Sequence, residues 1–140
     1  MSGEHKVRTK HTELSLEEIA EALPGTGDIM SRVAEKWWRC AYAARGGNWP
    51  LAAYYARRVR SLQRGLAVIR PKYRERLESF ESGPLAAVFA ALEAQDAAAF
   101  ERAFAAATDV ANQNHVETGY GYIRWKLPDD APKDVDLSRG

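Results

Sequence analysis

Residues 28–69 read DIMSRVAEKWWRCAYAARGGNWPLAAYYARRVRSLQRGLAVI. Asp28 predicts the N-cap of a helix, and Gly46-Gly47 predicts its end, because glycine is the residue that most readily terminates a helix. Asn48 predicts a second N-cap, and Pro50 lies in the first turn, where proline loses no hydrogen bond. The stretch therefore predicts two antiparallel helices. Their apolar faces follow helical spacing: Ile29, Val33, Trp37, Cys40, Ala41 and Ala44 in the first, and Leu51, Tyr55, Leu62, Leu66 and Ile69 in the second.

Further helices are predicted on both sides of this hairpin. Ser15 and Glu18 have the spacing of a capping box, and the helix that they open ends at Leu23, because Pro24 cannot continue it. Pro71 is expected to kink or break the second long helix. Three elements follow: a helical stretch over 72–80, a segment over 84–94 that restarts after a stop at Gly83-Pro84, and a long helix capped by Asp96 with Phe100, Ala103, Phe104, Ala107 and Ala111 on its apolar face.

These elements predict an all-α protein. Four principal helices joined by short loops favour an up-and-down four-helix bundle, with a short extra N-terminal helix before it and an extended C-terminal tail after it. No strand pattern is long enough to predict a sheet. We expect residues 1–14 to be a flexible N-terminal arm, residues 15–127 to be the helical-bundle domain, and residues 128–140 to be a flexible C-terminal tail.

Composition excludes several classes of protein. The 140 residues include 20 Lys plus Arg and 19 Asp plus Glu, so the net charge is +1 and nucleic acid is not an expected partner. No apolar run approaches the roughly 20 residues that cross a bilayer, and residues 1–15 lack the apolar segment of a secretory signal. We therefore expect a cytoplasmic protein without a membrane partner. The single cysteine, Cys40, excludes an internal disulfide and is expected to be a buried, inert thiol, and no metal site is predicted.

His115 is the leading candidate for a functional residue. It lies one turn after Ala111 on the apolar face of the last helix, and Asn114 borders that face. Polar side chains that enter such an interior need partners, because an unpaired buried polar group costs about 1–3 kcal/mol. A structural role for His115, bonded to a backbone carbonyl or a tyrosine hydroxyl, stays open beside a ligand-facing role in a bundle pocket. We expect the ring to face inward and to touch the aromatic hairpin or the tail near Tyr120 and Tyr122.

The helical hairpin supplies the other candidate site residues. Trp38 and Tyr42 are one turn apart on a face that differs from the core stripe, and such a face indicates a pocket wall, a subunit interface or contact with another segment. Tyr54 belongs to the same aromatic cluster. Arg58 is placed at the edge of the apolar stripe of the second helix, where a guanidinium needs a carboxylate or a ligand anion, and Glu35 is the carboxylate that we expect beside it.

The sequence also contains GGNWPLAAY at 46–54, DAAAF at 96–100, and ANQNH at 111–115 followed by Gly119 and Ile123. Over residues 28–128 these segments resemble a family of small bacterial helical-bundle proteins. Some members look like c-type cytochromes and carry a Cys-x-x-Cys-His haem-attachment motif near the end of the last helix. Here Ala111 and Asn114 stand at the two cysteine positions. The resemblance therefore implies the bundle fold without covalently attached haem, and the missing secretory signal agrees, since c-type haem is attached outside the cytoplasm.

Four functional hypotheses follow. The first is a cytoplasmic bundle that binds a small molecule, and the second is an enzyme that uses His115 as general acid or base with Arg58 as the anchor for an anionic substrate. The third is noncovalent binding of haem or a metal through His115, with no other cofactor expected. The fourth is a pure protein-interaction module, in which the exposed aromatic residues join a partner or form a homodimer. The pocket of the first hypothesis is lined by Trp38, Tyr42, Tyr54, Arg58, Asn114 and His115.

Overall fold

A computed structural model describes residues 5–138. It is 69% helical, so the prediction of a predominantly α-helical fold is confirmed at that level. Six α-helices occur among the described residues: α1 (Leu16–Ala22), α2 (Thr26–Arg45), α3 (Trp49–Ile69), α4 (Arg74–Phe80), α5 (Ala86–Ala94) and α6 (Ala97–Glu117). None of these helices is both long enough and apolar enough to cross a membrane.

The prediction that no sheet would form is wrong. Strand β1 (Lys6–Arg8) pairs antiparallel with β2 (Glu13–Ser15), and Val7 lies opposite Leu14. Thr9 closes the turn between them, because its amide and hydroxyl both donate to the carbonyl oxygen of Thr12, at 2.7 and 2.9 Å. Most of this hairpin is exposed, and residues 1–4 of the predicted N-terminal arm lie outside the described residues.

Three of the predicted helix caps are confirmed. Ser15 and Glu18 form both hydrogen bonds of the capping box at the start of α1. Asn48 accepts from the Leu51 amide at the start of α3, and Asp96 accepts from the Ala99 amide at the start of α6. The prediction for α2 is wrong. This helix begins at Thr26 after Gly25, which supplies no side-chain cap, and Asp28 lies inside the first turn, where its charge favours the helix dipole.

The two internal prolines behave differently. Helix α3 ends before Pro71, which starts a short 3-10 turn over Pro71–Tyr73, so the predicted break is confirmed. The predicted stop at Gly83-Pro84 is wrong, because the chain continues from α4 into α5 through a π-helical turn over Glu81–Leu85. Proline lacks an amide donor and clashes with the carbonyl four residues before it in an α-helix, and the wider π-turn relieves that clash.

The core lies where the long helices meet. Helix α2 packs against α3 and α6, and α3 also packs against α4 and α5. The Trp37 ring of α2 stacks on Phe104 of α6 at 4.3 Å between centroids, and its indole nitrogen donates to the Thr108 hydroxyl at 2.9 Å. The largest fully buried side chains come from α2, α3, the π-turn, α5 and α6: Val33, Cys40, Val59, Leu66, Leu85, Val88 and Phe100.

The C-terminal segment packs beside the turn between α2 and α3. Gly46 is needed there, because a Cβ atom at this position would collide with the backbone carbonyl of Leu137. Gly47 has a φ of 81° and forms a β-bridge with Ser138. The side-chain Nδ2 of Asn48 donates to the carbonyl oxygen of Asp136 at 3.0 Å. These contacts attach the predicted tail to the helices, although its flexibility stays a prediction.

Candidate functional site

A partly open cavity of about 320 Å³ lies at the end of the helices opposite the Gly46-Gly47 turn. The start of α2, the second half of α3, helix α4 and the end of α6 meet here, and residues 120–125 cross beside them. The walls are mainly apolar and aromatic. They include Met30, Leu66, Tyr73, Leu77, Phe80, Tyr120, Ile123 and Trp125, while Thr26, Ser31, Gln63, Arg76, Asn114, His115 and Thr118 supply side-chain polar atoms.

His115 lies on the wall of this cavity, half-buried near the end of α6. Its Nδ1 is 2.9 Å from the carbonyl oxygen of Ile123, and its ring meets Trp125 edge-on at 5.3 Å between centroids. The ring therefore contacts the tail, as predicted, but through Ile123 and Trp125. A carbonyl oxygen only accepts hydrogen bonds, so Nδ1 carries the proton, and the neutral ring keeps its lone pair on Nε2. This arrangement makes Nε2 able to accept a proton or a hydrogen bond, or to bind a metal ion.

Asn114 also lines the cavity, where it bonds to an arginine. The Arg76 guanidinium donates to Asn114 Oδ1 at 3.1 Å and to Glu117 Oε1 at 2.7 Å. The hydrogen bond from Arg76 holds the pKa of the Glu117 carboxyl below its ordinary value. The positive charge on this wall is therefore already paired.

Two polar atoms near the cavity lack a hydrogen-bond partner among the described residues. Gln63 is only 5% exposed and its Oε1 is unpaired, and the Thr26 hydroxyl is likewise buried and unpaired. Both residues line the cavity. A buried polar atom without a partner costs about 1–3 kcal/mol, so native structures hold few of them. Two such atoms therefore lie around one cavity, and its open space can hold the partners that they lack.

Tyr73 and Tyr120 line the cavity close to exposed cations. Burial raises the pKa of the Tyr73 hydroxyl, but hydrogen bonds with Tyr120 and Lys72 outweigh that effect and leave the pKa below its ordinary value. The Lys72 ammonium lies 5.0 Å from the Tyr73 ring centroid, and the Arg70 guanidinium lies 5.9 Å from it. Tyr73 and Tyr120 therefore contribute both aromatic rings and hydroxyl groups to the wall of the cavity.

Four of the six predicted site residues do not line the cavity. Trp38 and Tyr42 are half-buried and meet edge-on at 6.1 Å, and the Tyr42 hydroxyl donates to the carbonyl oxygen of Pro128. Tyr42 therefore contacts the C-terminal segment and not the cavity. Tyr54 is half-exposed beside Tyr55, at 5.5 Å between centroids. Only Asn114 and His115 of the predicted set come together at the cavity.

Arg58 is exposed, so its predicted place at the edge of the core is wrong. The buried face of α3 is centred on Ala56, Val59 and Gln63, which places Arg58 well around the helix from it. The prediction gave too much weight to large apolar residues and too little to alanines. The predicted partner, Glu35, bonds instead to Lys36 at 2.7 Å.

Sequence reasoning missed Thr26, Gln63, Arg76 and Trp125 as parts of the site. Gln63 had a detectable signal, because it falls four residues after Val59 and four before Ala67 on the same helical face. Trp125 had no such signal, since only the path of the tail brings it to His115. Cys40 is buried as expected, and burial raises the pKa of its thiol to about 12, which leaves it inert at neutral pH.

No protein-family model, no curated protein and no solved structure matched this chain. The resemblance to cytochrome-like bundle proteins therefore stays an expectation. Within residues 5–138, no three His, Cys, Asp or Glu side chains converge as ligands for a metal ion.

Proposed function

We propose that this protein is an up-and-down four-helix bundle that binds a small, largely apolar molecule in the cavity beside His115. In this proposal α2, α3, α6 and the joined α4 and α5 are the four helices. The observation that carries the proposal is the pair of unpaired buried polar atoms, Gln63 Oε1 and Thr26 Oγ1, around a mainly apolar cavity.

Such a cavity lowers the stability of the folded protein. Protein interiors are packed as densely as organic crystals, and lost contacts around a void destabilise the native state. Unpaired polar atoms on its wall add to that cost. A ligand that fills the space and bonds to these atoms would offset both penalties, and concave, mainly apolar pockets with a few polar groups are the usual form of small-molecule sites.

The cavity volume limits the ligand. At about 320 Å³ it lies at the lower end of the roughly 300–1,000 Å³ that small-molecule pockets span. This size supports a compact molecule with one or two rings. The resemblance adds support, because the positions that carry the haem-attachment motif in that family are Ala111, Asn114 and His115 here, and all three line the cavity.

Fragment screening by amide chemical-shift mapping tests the proposal. With the ¹⁵N-labelled protein and a set of small aromatic and aliphatic fragments, we expect binders to shift the amides of residues 26–31, 111–118 and 120–125 together. Amides near Tyr54 and Arg58 should stay unchanged and serve as the internal control. Binders that perturb only the face around Trp38 and Tyr42, or a complete absence of binders, would contradict the proposal.

A second candidate function rests on the His115 hydrogen bond. Because Nδ1 bonds to the Ile123 carbonyl, Nε2 is fixed as the acceptor, which suits an axial haem ligand or a general base. Haem could bind only noncovalently, since Ala111 and Asn114 cannot form thioethers. An absorbance shift on adding haem that His115→Ala abolishes, while Tyr54→Ala preserves it, would favour haem binding over the leading proposal. The enzyme hypothesis loses Arg58 as its anion anchor, because that residue is exposed and away from the cavity.

The hypothesis of a pure interaction module makes a different demand on the region around His115. A pure interaction module needs no cavity at His115, so the partly open, mainly apolar cavity supports small-molecule binding instead. The cytoplasmic location and the homodimer stay predictions from the sequence.

A further inference from the structure

The cavity offers hydrogen-bond acceptors that have no donor. Gln63 Oε1 has no partner among the described residues, and a carbonyl-type oxygen can only accept. In the neutral form of His115 the lone pair lies on Nε2, because Nδ1 donates to the carbonyl oxygen of Ile123. Asn114 Oδ1 is different, since Arg76 already donates to it. A ligand that satisfies this wall must therefore bring an N–H or O–H donor.

The charges around the cavity favour a neutral ligand. Among the described lining residues, Arg76 is the only Lys or Arg, and none is Asp or Glu. Arg76 is bonded to Glu117 at 2.7 Å, so an anionic ligand would have to compete with that carboxylate. A cationic ligand would find no carboxylate on the walls. Burying an unpaired charge is far more costly than burying a hydrogen-bonded neutral group.

The aromatic residues on the cavity wall favour a ligand with a flat ring. Phe80 and Trp125 belong to the walls, with Tyr73 and Tyr120 beside them. Aromatic side chains contact other rings edge-on or offset, as His115 already contacts Trp125 at 5.3 Å. An aromatic ligand would extend this cluster, whereas a flexible aliphatic chain would lose more conformational freedom on binding.

We propose that the cavity binds a neutral aromatic molecule that carries one N–H or O–H donor, and that Gln63 Oε1 accepts the hydrogen bond from it. The class includes nitrogen heteroaromatics with an N–H group and phenols. This inference rests on the proposed function and adds the chemical class of the ligand and the residue that selects it.

Three bicyclic probes of nearly equal shape test this inference. Indole carries an N–H donor, benzofuran carries a ring oxygen in its place, and indene carries neither. Titration calorimetry on the intact protein should show indole binding more tightly than the other two, by a factor on the order of ten, as expected for one hydrogen bond to an otherwise unpaired buried acceptor. Chemical-shift mapping of the same samples locates each probe.

The variant Gln63→Met removes the acceptor and keeps a side chain of similar length. It should bind the three probes with equal affinity, mainly by weakening indole. The matched control is Gln113→Met, the same substitution at an exposed position of α6 that does not line the cavity, and it should keep the preference for indole. The comparison of probes on the unaltered protein needs no variant, so it decides the donor requirement even if Gln63→Met fails to fold. In that case His115→Ala identifies the acceptor, because a preference for indole that survives this substitution assigns the hydrogen bond to Gln63.

The failures of the two proposals are distinguishable. Equal binding of indole, indene and benzofuran in the cavity would overturn the donor requirement and leave small-molecule binding intact, with water as the partner of Gln63. A preference for benzofuran would also overturn it. Binding of aliphatic fragments without any of the three probes would overturn the aromatic class alone. If neither these probes nor the wider fragment set reaches the cavity, both proposals fail.

Discussion

The two ends of the helices are built from similar parts but differ in how their polar groups are paired. At the end with the Gly46-Gly47 turn, the Asn48 side chain accepts from Leu51 and donates to Asp136, so both of its polar atoms are bonded. At the opposite end, α2 starts after Gly25 without a side-chain cap, and the Thr26 hydroxyl is buried and unpaired. The difference shows that one end is completed by the chain itself, while the other lacks partners that a ligand could supply.

The largest contrast is expected from removing a phenylalanine at each end. Phe100 is 1% exposed, packed against Trp49 and Phe104, and Phe100→Ala should cost about 3–5 kcal/mol of the free energy of unfolding. Phe80 is 4% exposed and contacts Trp37, but it also lines the cavity, so part of its surface already faces open space and Phe80→Ala should cost less, about 3 kcal/mol. Urea denaturation followed by circular dichroism measures both, and equal costs would contradict the difference in packing between the ends.

A smaller contrast comes from two glycines. Gly46→Ala places a Cβ atom against the Leu137 backbone and should cost about 1–3 kcal/mol or release the C-terminal segment. Gly65→Ala in α3 meets no atom within 4 Å and should stabilise the protein by about 0.5–1 kcal/mol, since alanine favours helix. Thermal unfolding measures the two changes. If Gly46→Ala proved neutral, the close approach of the C-terminal segment to this turn would be in error.

Polar substitutions should change stability in opposite directions at the two ends. Asn48→Ala removes a cap that is fully bonded and should cost about 0.5–2 kcal/mol. Gln63→Met removes an unpaired buried acceptor and should raise the free energy of unfolding by about 1 kcal/mol. Chemical denaturation in the absence of any ligand measures both. Destabilisation by Gln63→Met would show that Gln63 is already paired, which removes the main argument for the site.

The smallest expected effect is a pH dependence of the C-terminal segment. The hydrogen bond from Arg39, at 3.0 Å, holds the pKa of Asp134 below its ordinary value of 3.8. A lowered pKa in the folded state stabilises the fold above the ordinary value, and that stabilisation is lost as the pH falls through the lowered value. Amide shifts of residues 134–138 should therefore change below pH 3.8. Asp136 also titrates in this range, because hydrogen bonds from Ser138 hold its pKa below 3.8. Asp134→Asn should therefore abolish only the part of the transition that also moves the Arg39 side-chain N–H signals, and an unchanged Arg39 response in this variant would contradict the assignment.

Local signals in the sequence predicted much of the fold. Ser15, Asn48 and Asp96 act through hydrogen bonds to amides three residues away, so their spacing alone identifies them. Pro71 breaks α3 for a similarly local reason. Pro84 does not stop the helix, because a π-turn accommodates its missing amide donor. Helix α6 packs against this turn, a long-range contact that the local sequence pattern does not contain.

The site was less predictable because it is assembled from distant parts of the chain. Helical spacing placed His115 and Asn114 correctly on α6, since their positions depend only on that helix. The other predicted residues lie on the correct hairpin but on faces turned away from the cavity. Trp125 reaches His115 only through the path of the tail, and no short-range pattern encodes that path.

The central claim is that ligands bind in the cavity. Replacing one of two alanines of α6 by methionine, one in the cavity and one outside it, tests this claim most directly. Ala111 lines the cavity, whereas Ala105 is exposed and does not. Titration calorimetry with a fragment that binds the unaltered protein should show at least about tenfold weaker binding to Ala111→Met, which fills the space, and unchanged binding to Ala105→Met. Equal affinity for both variants, with both folded by circular dichroism, would contradict the account.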